Sequence, residues 1–279
     1  MKPNRIALIT GASSGIGRVF AQRFAQSGYD LIITGRRRDK LTLLAKQLKG
    51  RFSISVKIVI AELSEENDVR KLLKVIATHD NISVLINNAG YGSGKEFGNC
   101  DLNNHMQMLQ VHVVTMLKLV HAVLPQMISR RYGTIINVSS LAAFMPAPGS
   151  SIYSATKLFL KSFTESLHME VSRYGIKLQC LCPGFTHTDF HERRVNGNIP
   201  KNSGIIRWME ADTVVDECLK SLEKGKIVYV PGFMNRLLVR IVPFIPSFIY
   251  YYLMMKIAQR TTGNESIPDG KSGKVQPAL

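Results

Sequence analysis

The sequence predicts an α/β fold: one open parallel sheet of about seven strands, with helices packed on both faces. Three observations carry this expectation. Short apolar, β-branched runs recur from residue 5 to about residue 230. Longer segments with a 3.6-residue apolar period separate them. The runs are continuously apolar rather than alternating, which suits strands buried on both faces. Strands that alternate with helices pair in parallel through helical crossovers.

The elements follow in order. The first run, IALIT (6–10), opens the sheet. A helix over 18–27 carries Val19, Phe20, Phe24 and Ala25 on one face and stops at Gly28. The second run, LIIT (31–34), precedes a helix over 39–49 with Leu41, Leu44, Ala45 and Leu48 on its stripe. The remaining runs are ISVKIVI (54–60), VLIN (84–87), TIINVS (134–139), KLQCLCP (177–183) and KIVYVP (226–231). Helices over 65–77, 103–129, 151–174 and 212–223 fill the gaps between them. The natural candidate is a Rossmann-type doubly wound sheet in a single unit.

The boundaries are read as one α/β domain over 1–232, an apolar segment over 233–260 and a flexible polar tail over 261–279. Residues 184–211 form a long insertion after the sixth strand, expected to be a substrate loop. Within it His191, Glu192, Arg193 and Arg194 could guide a polar headgroup or sit solvated. The tail segment from Phe233 to Arg260 has an uncharged stretch only from 241 to 255, broken by Pro243 and Pro246. A bilayer span needs about 20 apolar residues, so a single crossing is disfavoured. Three readings stay open: a cover over an apolar pocket, a subunit contact, or a membrane-interface element. In the last, Arg236, Arg240, Lys256 and Arg260 would face anionic headgroups, and Tyr250, Tyr251 and Tyr252 would form an interfacial belt.

Lys and Arg number 36 against 20 Asp and Glu, a formal charge of +16. This favours anionic partners such as phosphorylated cofactors or acidic membranes. No nucleic-acid motif accompanies the charge, and nucleic acid is not expected as a partner. Cys100, Cys180, Cys182 and Cys218 are read as reduced thiols, since Cys-x-Cys is no zinc spacing. No metal is expected. The first strand starts within five residues of the N-terminus, which leaves no room for a signal peptide, and the expected location is cytoplasmic, with membrane association as an option.

The turn TGASSGIG (10–17) lies between the first strand and the first helix. Gly11, Gly15 and Gly17 let backbone approach a ligand, and the helix N-terminus attracts a pyrophosphate. Ser13, Ser14 and Ile16 complete this candidate cradle. The second strand ends in Gly35-Arg36-Arg37-Arg38 where NAD sites carry an acid. Guanidinium groups suit a 2′-phosphate, so NADP(H) is expected, with Arg36 the strongest contact and Arg37 next. Arg38 is read as a surface charge.

Five motifs in order now bring a family into view. TGASSGIG (10–17), NNAG (87–90), NVSS (137–140), YSATK (153–157) and PGFTHT (183–188) resemble the short-chain dehydrogenase/reductase family over roughly residues 4–232. The resemblance implies that Ser140 holds the substrate oxygen, that Tyr153 is the general acid/base and that Lys157 is its cationic partner. It also implies cofactor contacts at Asn88, Ala89 and Gly90, at Pro183, Gly184, Thr186 and Thr188, and, beside the adenine, at Glu62 and Leu63. Glu62 stands where the family often has Asp. His112 stands where the family usually has a helix-kinking asparagine whose carbonyl joins a proton relay. The histidine could shuttle protons, leave the relay to its backbone carbonyl, or merely be accommodated.

Physical chemistry supports the Tyr-Lys pair. A cation about 5 Å from a phenolate is worth about 3 kcal/mol at an effective dielectric near 20, which brings a phenol toward neutrality. The function expected is hydride transfer between NADP(H) and a small apolar, lipid-like carbonyl or alcohol, with a homo-oligomer as the prior from the resemblance. A non-catalytic NADP-binding sensor or scaffold of the same fold is the alternative.

Overall fold

A computed structural model of the chain describes residues 5–92, 94–189 and 207–262, with side chains to residue 258. Strands β1 (Ile6–Thr10), β2 (Asp30–Gly35), β3 (Val56–Ile60), β4 (Ile82–Asn87), β5 (Gly133–Val138) and β6 (Ile176–Leu181) follow the expected runs within two residues. Two short strands, β7 (Thr186–His187) and β8 (Met209–Glu210), pair with each other, and β9 (Val228–Tyr229) closes the main sheet. The main sheet is parallel and seven-stranded, in the order β3-β2-β1-β4-β5-β6-β9. The order reverses between β1 and β4. In such sheets the crevice beyond the strand ends at that reversal receives the ligand.

The crossover helices are α1 (Gly15–Gln26), α2 (Arg38–Arg51), α3 (Glu66–Ala77), α4 (Leu102–Leu109), α5 (Met116–Ser129), α6 (Ser151–Val171) and α7 (Ala211–Glu223). Their end charges suit the backbone dipole: α3 has Glu66 and Asp68 in its first turn and Lys74 in its last. Two cores form on the faces of the sheet. One gathers Ile9, Ile33 and Ile86 with Phe20, Phe24, Leu41, Leu44, Val214 and Val215 from α1, α2 and α7. The other gathers Leu8, Ile32 and Leu85 with Leu72, Ile76, Leu119, Val123, Leu160 and Leu167 from α3, α5 and α6. Successive strand residues alternate between the two, as pleating requires.

Four differences from the sequence reading matter. The helix expected over 103–129 is interrupted by a π turn at Gln110–Thr115, centred near His112. Such turns often mark functional sites. Leu102–Ser129 is the one described helix long and apolar enough to cross a bilayer, and Met116, Leu119, Val120, Val123 and Met127 are buried in its core contact. The last strand shrinks from 226–231 to two residues. The insertion over 184–211 contributes the β7–β8 pair; its His191-Glu192-Arg193-Arg194 cluster lies outside the described residues, as does the tail beyond residue 262.

The apolar segment folds as two helices, α8 (Phe233–Ile241) and α9 (Ser247–Thr262), joined through a 3-10 turn at Val242–Phe244. Pro243 and Pro246 flank the break, where continued helix would clash.

Candidate active site

The crevice at the strand reversal is a cavity of about 660 Å³. One end is lined by the glycine turn, Arg36, Arg37, Glu62 and Leu63. The middle is lined by Asn88, Ala89, Gly90, Ser140, Tyr153 and Lys157. Pro183, Gly184, Thr186 and Thr188 also line the cavity, and Leu238, Met254 and Ile257 of the C-terminal helices line the end away from the glycine turn. All the sequence-predicted site residues meet here except Gly17 and His112, which lie behind the wall.

The glycine turn is built for close approach. Gly15 has φ +52°, and a Cβ there would come within 2.6 Å of Thr188 Cγ2. A Cβ on Gly17 would come within 2.4 Å of both Asn88 Nδ2 and the Gly11 carbonyl. Gly17 therefore serves packing of the turn against the β4 end rather than lining the cavity. The Thr10 hydroxyl accepts N–H bonds from Asn88 (2.9 Å) and Ala89 (3.0 Å) and donates to the Ile86 carbonyl. Asn88 Nδ2 returns bonds to the Thr10 and Gly11 carbonyls. These bonds lock the β1 and β4 turns together at the crevice. The first turn of α1 has no acid, and its N-cap Ser14 makes no side-chain capping bond to it. Its positive end thus faces the cavity, an arrangement that fits an anionic pyrophosphate.

The arginines are less free than their sequence context suggests. Arg36 is exposed and pairs with Glu62 at 2.9 Å. Arg37 donates to Ser13 Oγ, to Ser14 Oγ and to Asp189 Oδ2, the last at 2.5 Å. Lys40 reaches the same Asp189 oxygen at 3.0 Å. Burial pushes the Asp189 carboxyl up, but the bonds from Lys40 and Arg37 outweigh it and hold the group at about 2. The sequence reading found no acid before Asp39, because these counter-ions come from 26 and 152 residues away. The stretch that follows Thr188 carried no signal for Asp189 beyond its place beside that motif. Arg38 is exposed at the start of α2, as expected.

Tyr153 and Lys157 stand on α6, both buried, with Lys157 Nζ 5.5 Å from the centre of the Tyr153 ring. Lys157 Nζ donates to the Val138 carbonyl (3.0 Å), and Ser139 Oγ donates to the Lys157 carbonyl (2.7 Å). Burial lowers the Lys157 ammonium to about 8. Ser140, at the end of β5, shares the cavity wall with Tyr153 and accepts the Ala142 N–H.

His112 is buried behind this pair. Its Nε2 accepts the Tyr91 N–H at 3.0 Å, so Nδ1 carries the proton and donates to Thr156 Oγ1 at 2.9 Å. The Thr156 hydroxyl in turn donates a hydrogen bond to the Tyr153 carbonyl at 2.8 Å. Burial, then the charge of Lys157, keep the imidazolium pKa well below its ordinary value. The ring is neutral, one tautomer, with both nitrogens committed. The proton-shuttling reading of His112 therefore finds no free nitrogen. A small space of about 10 Å³, close to one water in size, is lined by Thr10, Asn87, His112, Thr115 and Lys157.

The C-terminal helices roof the far end. Tyr250 donates to the Pro146 carbonyl at 2.8 Å and ties α9 to the loop after β5. Arg236 departs from its expected outward role: its guanidinium donates to Glu217 Oε2 (3.2 Å), the Tyr229 hydroxyl and the Val230 carbonyl. Cys180 on β6 and Cys182 just past its end have their sulfurs 3.6 Å apart, both buried. The roof contacts were not legible beforehand, since residues up to 104 positions apart meet there.

Comparison with known proteins places these features. The family model for short chain dehydrogenase matches residues 5–198. Sulfoacetaldehyde reductase 2 of Chromohalobacter salexigens is 33% identical over 205 residues, 72% of this chain and 81% of that protein. The very-long-chain 3-oxoacyl-CoA reductase of Homo sapiens is 28% identical over 260 residues, 91% of this chain and 80% of that protein. A solved short-chain dehydrogenase from Sphingobium yanoikuyae in complex with NADPH matches with a TM-score of 0.77 at 27% identity, covering 95% of this chain and 99% of that one.

Proposed function

The chain belongs to the short-chain dehydrogenase family of oxidoreductases, and on that premise we propose that it interconverts the carbonyl and hydroxyl of an apolar, lipid-like substrate using NADP(H). One observation carries the reading: a single cavity joins an anion-ready glycine turn and two arginines to Ser140, Tyr153 and Lys157, and then to an apolar wall. The cofactor fits the residues present. The glycine turn and the α1 N-terminus would hold its pyrophosphate, and Arg36 and Arg37 its 2′-phosphate. Bound there, reduced nicotinamide supplies a hydride to the carbonyl carbon.

The chain's own residues handle the oxygen. The Ser140 hydroxyl orients it by a hydrogen bond. The Tyr153 hydroxyl gives it a proton as the carbonyl becomes an alcohol, and the Lys157 cation stabilises the phenolate left behind. His112 acts as a positioning residue: through Thr156 it holds the backbone of Tyr153, and through Tyr91 it holds the turn beyond β4. Residues 1–232 would then carry cofactor and catalysis, and residues 233–260 the apolar roof. Leu238, Met254 and Ile257 supply that roof with side chains suited to an alkyl chain. The human relative is named for a very-long-chain acyl thioester, a substrate of the same apolar kind.

The test is steady-state turnover of ketones and 3-oxoacyl thioesters of increasing chain length, with NADPH and NADH. NADPH should be preferred, and KM should fall as the chain lengthens. Tyr153→Phe should retain NADPH binding while kcat drops by roughly 100-fold or more. Equal use of NADH, or a Tyr153→Phe enzyme at full rate, would overturn the reading.

A further inference from the structure

The outer surface of the roof is apolar where a protein surface is ordinarily polar. Phe233, Ile241, Phe244, Phe248, Tyr251, Tyr252 and Met255 are all exposed, Phe244 at 87% and Phe248 at 74%. They belong to α8, the turn after it and α9, and no described residue covers them. Isolated exposed apolar residues are ordinary, but a contiguous set of this kind marks an interaction surface.

Charge decides the partner. No Asp or Glu occurs between Glu223 and Glu265. The cations on the same helices are placed for a surface: Arg240 is exposed, and the Lys256 ammonium lies 4.5 Å over the Tyr252 ring. Arg236 is the exception, occupied by Glu217. A second copy of this face would bring Arg240 and Lys256 against their like, with no carboxylate on the patch to compensate. A bilayer bearing anionic headgroups complements both the charge and the apolar side chains. The break at Pro243 and Pro246 suits a surface element, since each helix is too short to cross. The inner side of the same two helices contributes Leu238, Met254 and Ile257 to the cavity.

We propose that the outer face of α8 and α9 is a docking surface for an anionic lipid bilayer, with Phe244 and Phe248 inserted at the acyl boundary and Arg240 and Lys256 at the headgroups. The mouth of the cavity then lies beside the membrane, and an apolar substrate reaches it without crossing water.

The test uses the full chain with sedimenting vesicles of phosphatidylcholine alone and of phosphatidylcholine mixed with phosphatidylglycerol. Binding should be strong to the mixed vesicles, weak to the neutral ones, and reduced by salt. The double variant Phe244→Asp/Phe248→Asp should lose at least about tenfold in vesicle partitioning, while its turnover of a short water-soluble ketone stays at the parent rate. Arg240→Glu/Lys256→Glu should lose the preference for phosphatidylglycerol. Absence of binding to either vesicle overturns the proposal. So does a dimer in solution that Phe244→Asp/Phe248→Asp converts to monomer, because the face would then be a subunit contact. Vesicle binding is read apart from turnover, so its failure leaves the oxidoreductase reading standing.

Discussion

Replacing Lys157 by methionine should make the protein more stable and less active at the same time. The ammonium is buried, and burial lowers it from the ordinary 10.5 to about 8. At 1.36 kcal/mol per pH unit, keeping it charged below pH 8 costs about 3 kcal/mol of folding free energy. Methionine has nearly the same length and no charge. It forfeits the Nζ bond to the Val138 carbonyl, worth about 1 kcal/mol. The net gain near pH 7 is about 2 kcal/mol, or roughly 5 °C in Tm for a chain of this size. The pH dependence follows from the sign. The folded pKa lies below the unfolded one, so unfolding takes up a proton between about pH 8 and 10.5, and the wild type gains stability as pH rises through that window. The advantage of Lys157→Met should therefore be level below about pH 8 and shrink from there to about pH 10.5. The same cation, 5.5 Å from the Tyr153 ring, is worth about 3 kcal/mol to the phenolate at an effective dielectric near 20, so kcat should fall roughly 100-fold. Thermal melts across pH and turnover with NADPH measure both halves. A Lys157→Met protein that melts below the wild type at pH 7, or whose advantage does not change with pH, would refute the reasoning.

Asp189→Asn should strengthen NADPH preference: releasing Arg37 from its carboxylate lowers KM for NADPH several-fold, up to about tenfold, with little change for NADH. An unchanged KM ratio for the two cofactors would show that Arg37 does not reach the 2′-phosphate. His112→Gln should leave the shape of the pH–rate profile around the ordinary histidine pKa unaltered, because burial and then the Lys157 charge hold the imidazole pKa well below it. Loss of an acid limb in that variant would mean that the histidine does carry protons.

Most of the sheet was legible because each strand declares itself locally: a continuous apolar run such as IALIT is buried whichever helix covers it. The glycine turn and the Tyr153–Lys157 spacing were legible for the same reason, since turn and helix place those side chains over short distances. What escaped depends on long-range meetings. Glu62 and Asp189 reach the arginines from other strands' ends, and no local pattern announces a counter-ion. The tautomer of His112 follows from Tyr91 and Thr156, which lie 21 and 44 residues away. Arg236 faces outward in the membrane-interface reading of the sequence, yet Glu217 on α7 holds it inward. The outer apolar face was visible as composition, but only the backbone shows which side of each helix remains uncovered.

Glu217 has a mechanical consequence. One carboxylate oxygen accepts the Tyr229 hydroxyl, the Gly232 N–H and the Arg236 guanidinium, so it rivets β9 and the root of α8 to α7. The first half of the C-terminal segment is thereby anchored to the sheet and shares its rigidity. Beyond that anchor the chain breaks at the two prolines, and the Tyr250–Pro146 bond ties α9 back to the loop after β5.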